Sequence, residues 1–529
     1  MTYDNEKYYL KAGKASDFNR NKDKTLYKFL EMLPGTLAWG TIFGIVLISV
    51  FFPLFASFFI ITFDSYWLIK TGFLSFHLRA SHKQMNKNLS INWPQTLDKL
   101  TSSEYKIEVP HWSNIYHLII LPFFKEPYEV IRDSITAILK SDISIKNNFI
   151  LVLGIEERAG KDAQETAQKL KEEFGEKFFK ILITIHPDNI TGEIPGKGAN
   201  ETYATKVAKE EIIDRMNIPY EHVLVSSLDA DSNVFPSYFS CLTYHYLTAE
   251  KPTKSSYQPI PIYNNNIWEA PAFSRVVATS GTFWQMMQQA RPERLATFSS
   301  HSMSFKALVE MNYWHTNIVS EDSRIFWQSL LFYDGDYKVV PLHYPISMDA
   351  NVAPTFWKTA KNVYKQQRRW GWGVENVPYT LFGFLKNKKI PFAKKLFFSF
   401  NQLEGFWAWA TNSFILFLLG WLPPILGGKE FGSSVLAHNL PYVTRIIMTL
   451  AMFGLIASAI ISTSLLPPRP TGHHARKYFW MILQWALVPI TIIFFGSIPG
   501  LEAQTRLMFG KYMSFWVTPK YRGNPKAGE

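Results

Sequence analysis

From Leu33 to about Phe63 the chain is almost unbroken apolar sequence, longer than one bilayer crossing requires. Hydrocarbon offers no water to backbone N–H and C=O groups, so such a run must satisfy them internally, as helix. Pro53 divides it, and an amphiphilic continuation runs through Tyr66-Trp-Leu-Ile to Phe76 before Arg79, His82 and Lys83. This reads as two helices, about 36–52 and 54–78, forming a hairpin in which Asp64 and Lys70 face protein or the interface. The alternative is one tilted helix followed by an interfacial one. Three further apolar stretches lie at about 404–426, 442–466 and 478–498. Between Pro378 and Phe400, Phe and Leu alternate with Lys386, Lys388, Lys389, Lys394 and Lys395, which suits amphipathic helices on a membrane face.

These segments divide the 529 residues into a basic tail (1–35), a transmembrane hairpin (36–78), a soluble domain (100–380), interface helices (381–401), C-terminal transmembrane helices (402–510) and a second basic tail (511–529). The net charge of +12 gathers beside the apolar segments, which favours a lipid surface over nucleic acid. The N-terminal tail carries Lys7, Lys11, Lys14 and Arg20, and its placement before the first span predicts the cytoplasmic side. The loop from Arg469 to Lys477 is basic and is expected inside, whereas Gly427–Asn439 is nearly uncharged and is expected outside. Five simple spans would then leave the basic C-terminal tail (Arg506, Lys511, Lys520, Arg522, Lys526) outside. Either Gly496-Ser-Ile-Pro-Gly500 turns a re-entrant hairpin, or the span count differs by one. A single cysteine, Cys241, excludes a disulfide framework and a cysteine zinc site, and reads as a small buried hydrophobe.

The soluble region is an α/β pattern. Strand-length apolar runs (Tyr116–Leu121, Phe149–Gly154, Phe178–Ile185, Val223–Leu228) alternate with helical segments (Tyr128–Leu139, Lys161–Phe174, Glu201–Met216), which argues for a mostly parallel sheet with crossover helices. In such sheets ligands sit beyond the carboxyl ends of strands. There Val223-Leu-Val-Ser-Ser-Leu-Asp-Ala-Asp231 places two carboxylates. Strand alternation would point Asp229 and Asp231 the same way, suiting Mg²⁺ or Mn²⁺ with phosphate oxygens as further ligands. A loop in which one Asp caps the next helix fits this short motif equally well.

Four other segments carry chemistry. Leu121-Pro-Phe-Phe-Lys-Glu-Pro127 follows the first strand, where Pro122 and Glu126 would shape a nucleotide pocket or only a strand-to-helix turn. Ile194-Pro-Gly-Lys-Gly-Ala-Asn200 opens a helix, and Lys197 with the free helix N–H groups makes a phosphate cradle or a turn with a solvated lysine. Ser320-Glu-Asp-Ser-Arg324 opens another, where Asp322 is either a first-turn acid or a general base that takes the proton of an acceptor hydroxyl. Gln366-Gln-Arg-Arg-Trp370 offers a forked cation, Arg369, for a diphosphate and a flat ring, Trp370, for a sugar. The same residues also suit a basic helix against a membrane.

Asp-x-Asp, then Glu-Asp, then Gln-x-x-Arg-Trp, in an α/β domain flanked by apolar spans, resembles the family 2 glycosyltransferases, and more narrowly their membrane-embedded, cellulose-synthase-like branch. The resemblance covers about 36–520. It implies a GT-A type domain with a mixed, mostly parallel sheet, binding a nucleotide-diphosphate sugar, with UDP the usual nucleotide. It places Asp229 near the nucleotide and Asp231 on the metal, makes Asp322 the catalytic base, and sets Gln366, Arg369 and Trp370 around acceptor and diphosphate, with Glu321 beside the acceptor. Pro122, Glu126 and Lys197 match nucleotide-side positions. Phe515-Trp-Val-Thr-Pro-Lys520 looks like the gating segment of some such synthases. The sequence departs from the pattern at Gly154-Ile-Glu-Glu157, where aspartates are usual and Glu156 stands instead as the expected contact to base or ribose, and at Ser320, where Thr is commoner. The stretch Tyr263–Phe298 has no counterpart in these motifs, and its Trp268 and Trp284 read as acceptor contacts or core. The expected activity is sugar transfer to a growing polysaccharide, with a single-sugar transferase to a lipid-linked acceptor as alternative. A transporter or non-catalytic membrane scaffold is the rival of another class, disfavoured by intact motifs and few broken, polar spans.

Overall fold

The computed structural model describes residues 5–469 and 476–521, so Arg522, Lys526 and most of the expected basic loop after Arg469 lie outside the described residues. One mixed sheet organises the soluble part. Its strands are β1 (Tyr116–Phe123), β2 (Phe149–Glu156), β3 (Lys180–His186), β4 (Val223–Ser227), β5 (Asn233–Val234), β6 (Ser255–Tyr263), β7 (Ser302–Ser304) and β8 (Lys338–Met348). They lie in the order β3-β2-β1-β4-β7-β6-β8-β5. The β1–β2, β1–β4, β2–β3 and β6–β8 pairs are parallel and the others antiparallel, so the sheet is mixed and mostly parallel. The expected strands fall within two residues of β1 to β4; β1, β2 and β4 are buried on both faces, whereas β3 lies at the sheet edge and is partly exposed.

β1 outlasts its neighbour. β4 ends opposite Ile120, whereas β1 continues through Pro122 to Phe123 beside β2 alone. Pro122 therefore stands where one edge of the strand is open, a position that tolerates its missing N–H.

Two apolar layers enclose the sheet. One holds Leu118, Ile120, Val152 and Val225 with Phe305, Ile325 and Leu330; the other holds Ile119, Leu121, Leu151, Leu153 and Leu224 with Ile131, Ile135, Leu242 and Cys241. Cys241 is a free thiol with no exposure, a core hydrophobe as expected.

The helical part differs from expectation at its ends. The first long helix runs Asn21–Phe51, and the second, Pro53–Leu89, begins directly after it. Residues before Leu33 are not a loose tail: Tyr9 and Leu10 are buried, Asp23 pairs with Lys386, and Glu31 accepts from the Ala15 N–H and the Tyr512 hydroxyl. Gly496–Gly500 forms no hairpin. A π-helical turn at Ile493–Ser497 passes straight into the helix Ile498–Met508. Among the described residues, Asn21–Phe51 and Arg476–Met508 are long and apolar enough to cross a membrane; Phe392–Phe417 with Leu419–Leu426, bent by 44°, is a third if it is one span.

Candidate active site

The site lies beyond the carboxyl ends of β1 and β4, where three chain segments converge. The first is the turn after β4. The strand ends at Ser227, so its alternation does not govern the two aspartates: Asp229 and Asp231 stand in a turn closed by Ser232 N–H on Asp229 C=O, and they meet different partners. The second is the helix Lys197–Ala208. Gly196 precedes it at φ 157, and a Cβ there would come 2.7 Å from the Phe515 ring. The third is the helix Glu321–Phe332, which approaches so closely that a Cβ on Gly198 would meet Glu321 at 2.9 Å.

Lys197 is the hub. Its ammonium donates to Asp229 Oδ1 at 2.6 Å and to Asp322 Oδ1 and Oδ2 at 2.9 and 3.1 Å. Burial alone would lower its pKa, but Asp229, Asp322 and the glutamates behind them outweigh that and hold it well above the usual lysine value. Burial would raise the Asp229 carboxyl, but Lys197 and the Ser299 hydroxyl, donating to Oδ2 at 2.5 Å, bring it well below the carboxylate range.

Beneath this bridge lie two carboxyls whose pKa burial raises. Glu201 has no exposure; its Oε1 accepts from Ser227 at 2.5 Å, and burial pushes its pKa up to about 8. Lys197 is also 3.7 Å from Glu201, a distance that alone suggests an ion pair. The shorter contacts to Asp229 and Asp322 already claim that charge, so Glu201 is protonated at neutral pH. Glu321, expected beside the acceptor, is instead 2% exposed and points inward, its carboxyl raised by burial and by Asp322. Successive residues in a helical turn diverge in direction, so Asp322 faces the site and Glu321 does not.

Asp231 occupies the other half. Its Oδ2 accepts from the Asp349 N–H at 2.8 Å and from Lys520 Nζ at 2.6 Å, whereas its Oδ1 is buried with no partner. Lys520 arrives on the C-terminal segment, which passes over Arg369, whose guanidinium lies 5.0 Å from the Phe515 ring. Tyr263 shows that the parts converge: burial raises its hydroxyl, and Asp229, Asp231 and Asp322 add to that against Arg369. Its ring lies 5.8 Å from Trp370, which also meets Phe298 edge-on. Gln366 and Trp370 line a cleft with Tyr263.

Two expected nucleotide contacts make local hydrogen bonds. Glu156 is held bidentately by Arg158, at 2.6 and 3.0 Å. Glu126 Oε2 accepts from the Phe124 and Lys125 N–H groups, closing its own turn, and burial raises its pKa. Pro122 is a buried strand residue. Trp268 is core, against Tyr478, and Trp284 is exposed away from the cleft.

Sequence reasoning missed Ser299, His301, Asp349 and Asn351. His301 Nδ1 lies 3.8 Å from Asp322, and burial lowers its pKa to about 4, so the ring is neutral. These residues sit on connections with no periodicity; only closeness in space marks Ser299, Asp349 and His301, which meet Asp229, Asp231 and Asp322.

A metal ion fits the donor set in one way. Among the described residues no three His, Cys, Asp or Glu side chains are grouped to hold an ion by themselves. Asp231 nevertheless presents a buried, unpartnered oxygen, the kind of hard ligand Mg²⁺ or Mn²⁺ takes singly when phosphates and water supply the rest.

Residues 224–498 match the family model described as glycosyl transferase family group 2, more than half of the chain. The chain belongs to this family. The glycosyltransferase therefore has a GT-A-like mixed sheet, and the match begins at β4, immediately before Asp229. No curated protein sequence matches it. Among solved structures it is similar to the mannosyltransferase PcManGT from Pyrobaculum calidifontis in complex with GDP-Man and Mn²⁺, at 13% identity and a TM-score of 0.37, over 74% of this chain and 99% of that one. It is also similar to S. aureus TarS 1-349, at 10% identity and a TM-score of 0.30, over 64% and 90%. A complex of TarS 1-349 with UDP-GlcNAc matches at 9% identity and a TM-score of 0.31, over 67% and 93%.

Proposed function

We propose that this glycosyltransferase is an inverting, divalent-cation-dependent enzyme of a membrane, transferring a hexosyl group from a nucleotide-diphosphate sugar, of the UDP type, to the end of a growing glycan. The observation that carries this reading is the shared ammonium: Lys197 joins Asp229 and Asp322, at 2.6 and 2.9 Å. The side chain of Asp322 is 20% exposed, so it reaches substrate as well as lysine. In this account Lys197 and Arg369 bind the diphosphate, and Trp370 and Gln366 seat the acceptor. Asp322, held in place by Lys197, takes the proton from the acceptor hydroxyl as that oxygen bonds to the anomeric carbon and the carbon–oxygen bond to the nucleotide diphosphate breaks. One displacement from the opposite face inverts the configuration. A divalent cation on Asp231 would supply charge stabilisation to the departing diphosphate.

The apolar helices support a membrane enzyme whose catalytic domain lies on the cytoplasmic side of an inner or plasma membrane, in contact with its lipids. The C-terminal segment reaching Asp231 favours processive synthesis over single addition, since a segment that covers the donor can reopen after each cycle. The test is nucleotide release by purified protein with Mn²⁺ or Mg²⁺ and a panel of UDP- and GDP-sugars. Release from one donor, lost in Asp231→Ala, supports the reading. Binding of no nucleotide diphosphate by the wild type would sink it. Product length, a ladder or one discrete glycolipid, separates the two acceptor classes.

A further inference from the structure

The helix that carries Asp322 and the helix that carries Trp370 are tied by one buried carboxylate. Glu375 stands in the turn Trp372–Glu375, directly after the helix Phe356–Gly371, and is 5% exposed. Its Oε1 accepts from the N–H groups of Val319 and Ser320 at 3.1 and 2.8 Å and from the Ser320 hydroxyl at 2.7 Å. Its Oε2 accepts from the Trp372 indole N–H at 2.8 Å. Ser320 immediately precedes the helix Glu321–Phe332, and its side chain does not bond back to that helix as a cap would. Glu375 takes up these donors from 55 positions away, and its negative charge suits the positive end of the helix dipole. Arg324, two residues after Asp322 and with no exposure, reaches the same turn. It donates to the Glu375 carbonyl at 3.1 Å and to Asn376 Oδ1, while Asn376 Nδ2 donates to the Ser323 hydroxyl at 2.9 Å.

The other end of this link is fixed as well. Trp372 has no exposure and belongs to an apolar cluster with Val319, Val377 and Leu507. A Cβ on Gly371 would come 3.2 Å from the Gly500 Cα, so the end of the Trp370 helix lies directly on the helix Ile498–Met508. Glu375 carries that placement to Ser320, two residues from Asp322. General-base catalysis needs such a link. The base must lie within hydrogen-bond reach of the hydroxyl it deprotonates, and a misplacement of about 1 Å costs on the order of a hundredfold. In the transferase reading that hydroxyl belongs to a sugar seated by Trp370. A carboxylate that only capped a helix would need nothing on its second oxygen, whereas here the Trp372 indole joins the cap to the acceptor helix. Building on the transferase reading, we infer that Glu375 is a positioning residue for transfer: it fixes the Asp322 carboxylate relative to the Trp370 ring and acts through Asp322 alone.

The test is a double-mutant cycle on the full-length protein in detergent. It uses the UDP- or GDP-sugar that supports nucleotide release and the acceptor, drawn from a panel of oligosaccharides and membrane lipid extract, that stimulates release most. Glu375→Gln keeps the shape but cannot accept on both sides at once, because one end of its amide is a donor. The expected result is a kcat about tenfold below wild type, with donor affinity and acceptor KM within about twofold. In an Asp322→Asn background the same change should have no further effect on transfer, since the group it positions is already gone. Ser320→Ala removes a single contact to Glu375 and is the gentler probe should Glu375→Gln fail to fold. Its kcat should fall about threefold, and again not at all beside Asp322→Asn. A role in stability alone would lower the melting temperature and leave kcat per folded molecule unchanged, which overturns the inference. So does a loss that falls on acceptor KM or donor affinity with kcat intact, or a double variant whose loss is the product of the single ones. Near-normal transfer in Asp322→Asn itself, or no release by the wild type with any donor, is a failure of the transferase reading and removes the inference with it. Neither outcome involves a change at Glu375, so the two failures are told apart.

Discussion

Lys520 Nζ lies 2.6 Å from Asp231 Oδ2, 289 positions earlier in the chain. Asp231 has no side-chain exposure and Lys520 has 15%, so the pair is buried. Lysine and a divalent cation are rivals for the same carboxylate. Removing the lysine leaves a buried charge unpaired, which costs on the order of 3 kcal/mol. Lys520→Ala is therefore expected to melt lower than wild type without metal, and to gain more from added Mn²⁺. Thermal shift with and without Mn²⁺ checks this; an equal Mn²⁺ effect in both proteins would separate Lys520 from the metal site.

Glu201 gives a pH signature. Its folded pKa, near 8, lies above the ordinary glutamate value because burial disfavours its charge. A group raised in this way contributes fully below its unfolded pKa, about 4.3, and loses that contribution as pH rises through the folded one. Glu201→Gln does not titrate and keeps an acceptor for Ser227. Its stability relative to wild type should thus climb by a few kcal/mol between about pH 4.5 and 8 and level off above. Melting temperatures of both proteins across that range decide it; a constant difference would mean that Glu201 is ionised in the fold.

In the helical layer Lys70 pairs with Glu404 and lies 4.5 Å over the Trp67 ring. Their side chains are 20% and 16% exposed, so losing one partner strands the other. Lys70→Met alone should destabilise by about 3 kcal/mol, and Lys70→Met with Glu404→Leu should recover most of it. Denaturation of the two variants in one detergent tests the coupling; additive losses would refute it.

Much of the fold was legible because β1 to β4 are mostly apolar runs of strand length, and the helices Lys161–Phe174 and Tyr128–Ile138 carry clear apolar faces. β7 was not. It is Ser-Met-Ser, three residues with no apolar run, and it exists because Ser302 meets Ser226 across the sheet, side chain to side chain at 2.7 Å. The helix start at Asn21 was hidden for a similar reason: Asp23 and Glu31 look like solvent-facing residues until Lys386, Ala15 and Tyr512 are brought to them. In the site, Asp229, Asp322 and Lys197 announced themselves through local motifs. Glu321 misled because a motif does not say which of two adjacent acids a helical turn buries. Ser299 and Asp349 matter through distance alone, which no local spacing encodes.

The central claim is that Asp322 is the base, and one variant tests it most directly. Asp322→Asn keeps the shape and one oxygen for Lys197 but cannot take a proton. With the active donor and acceptor, donor binding and sugar transfer are measured on the same preparation. The account predicts donor affinity within about threefold of wild type and transfer reduced by about a thousandfold, the range a lost general base commands. Transfer at a near-normal rate in Asp322→Asn would contradict it.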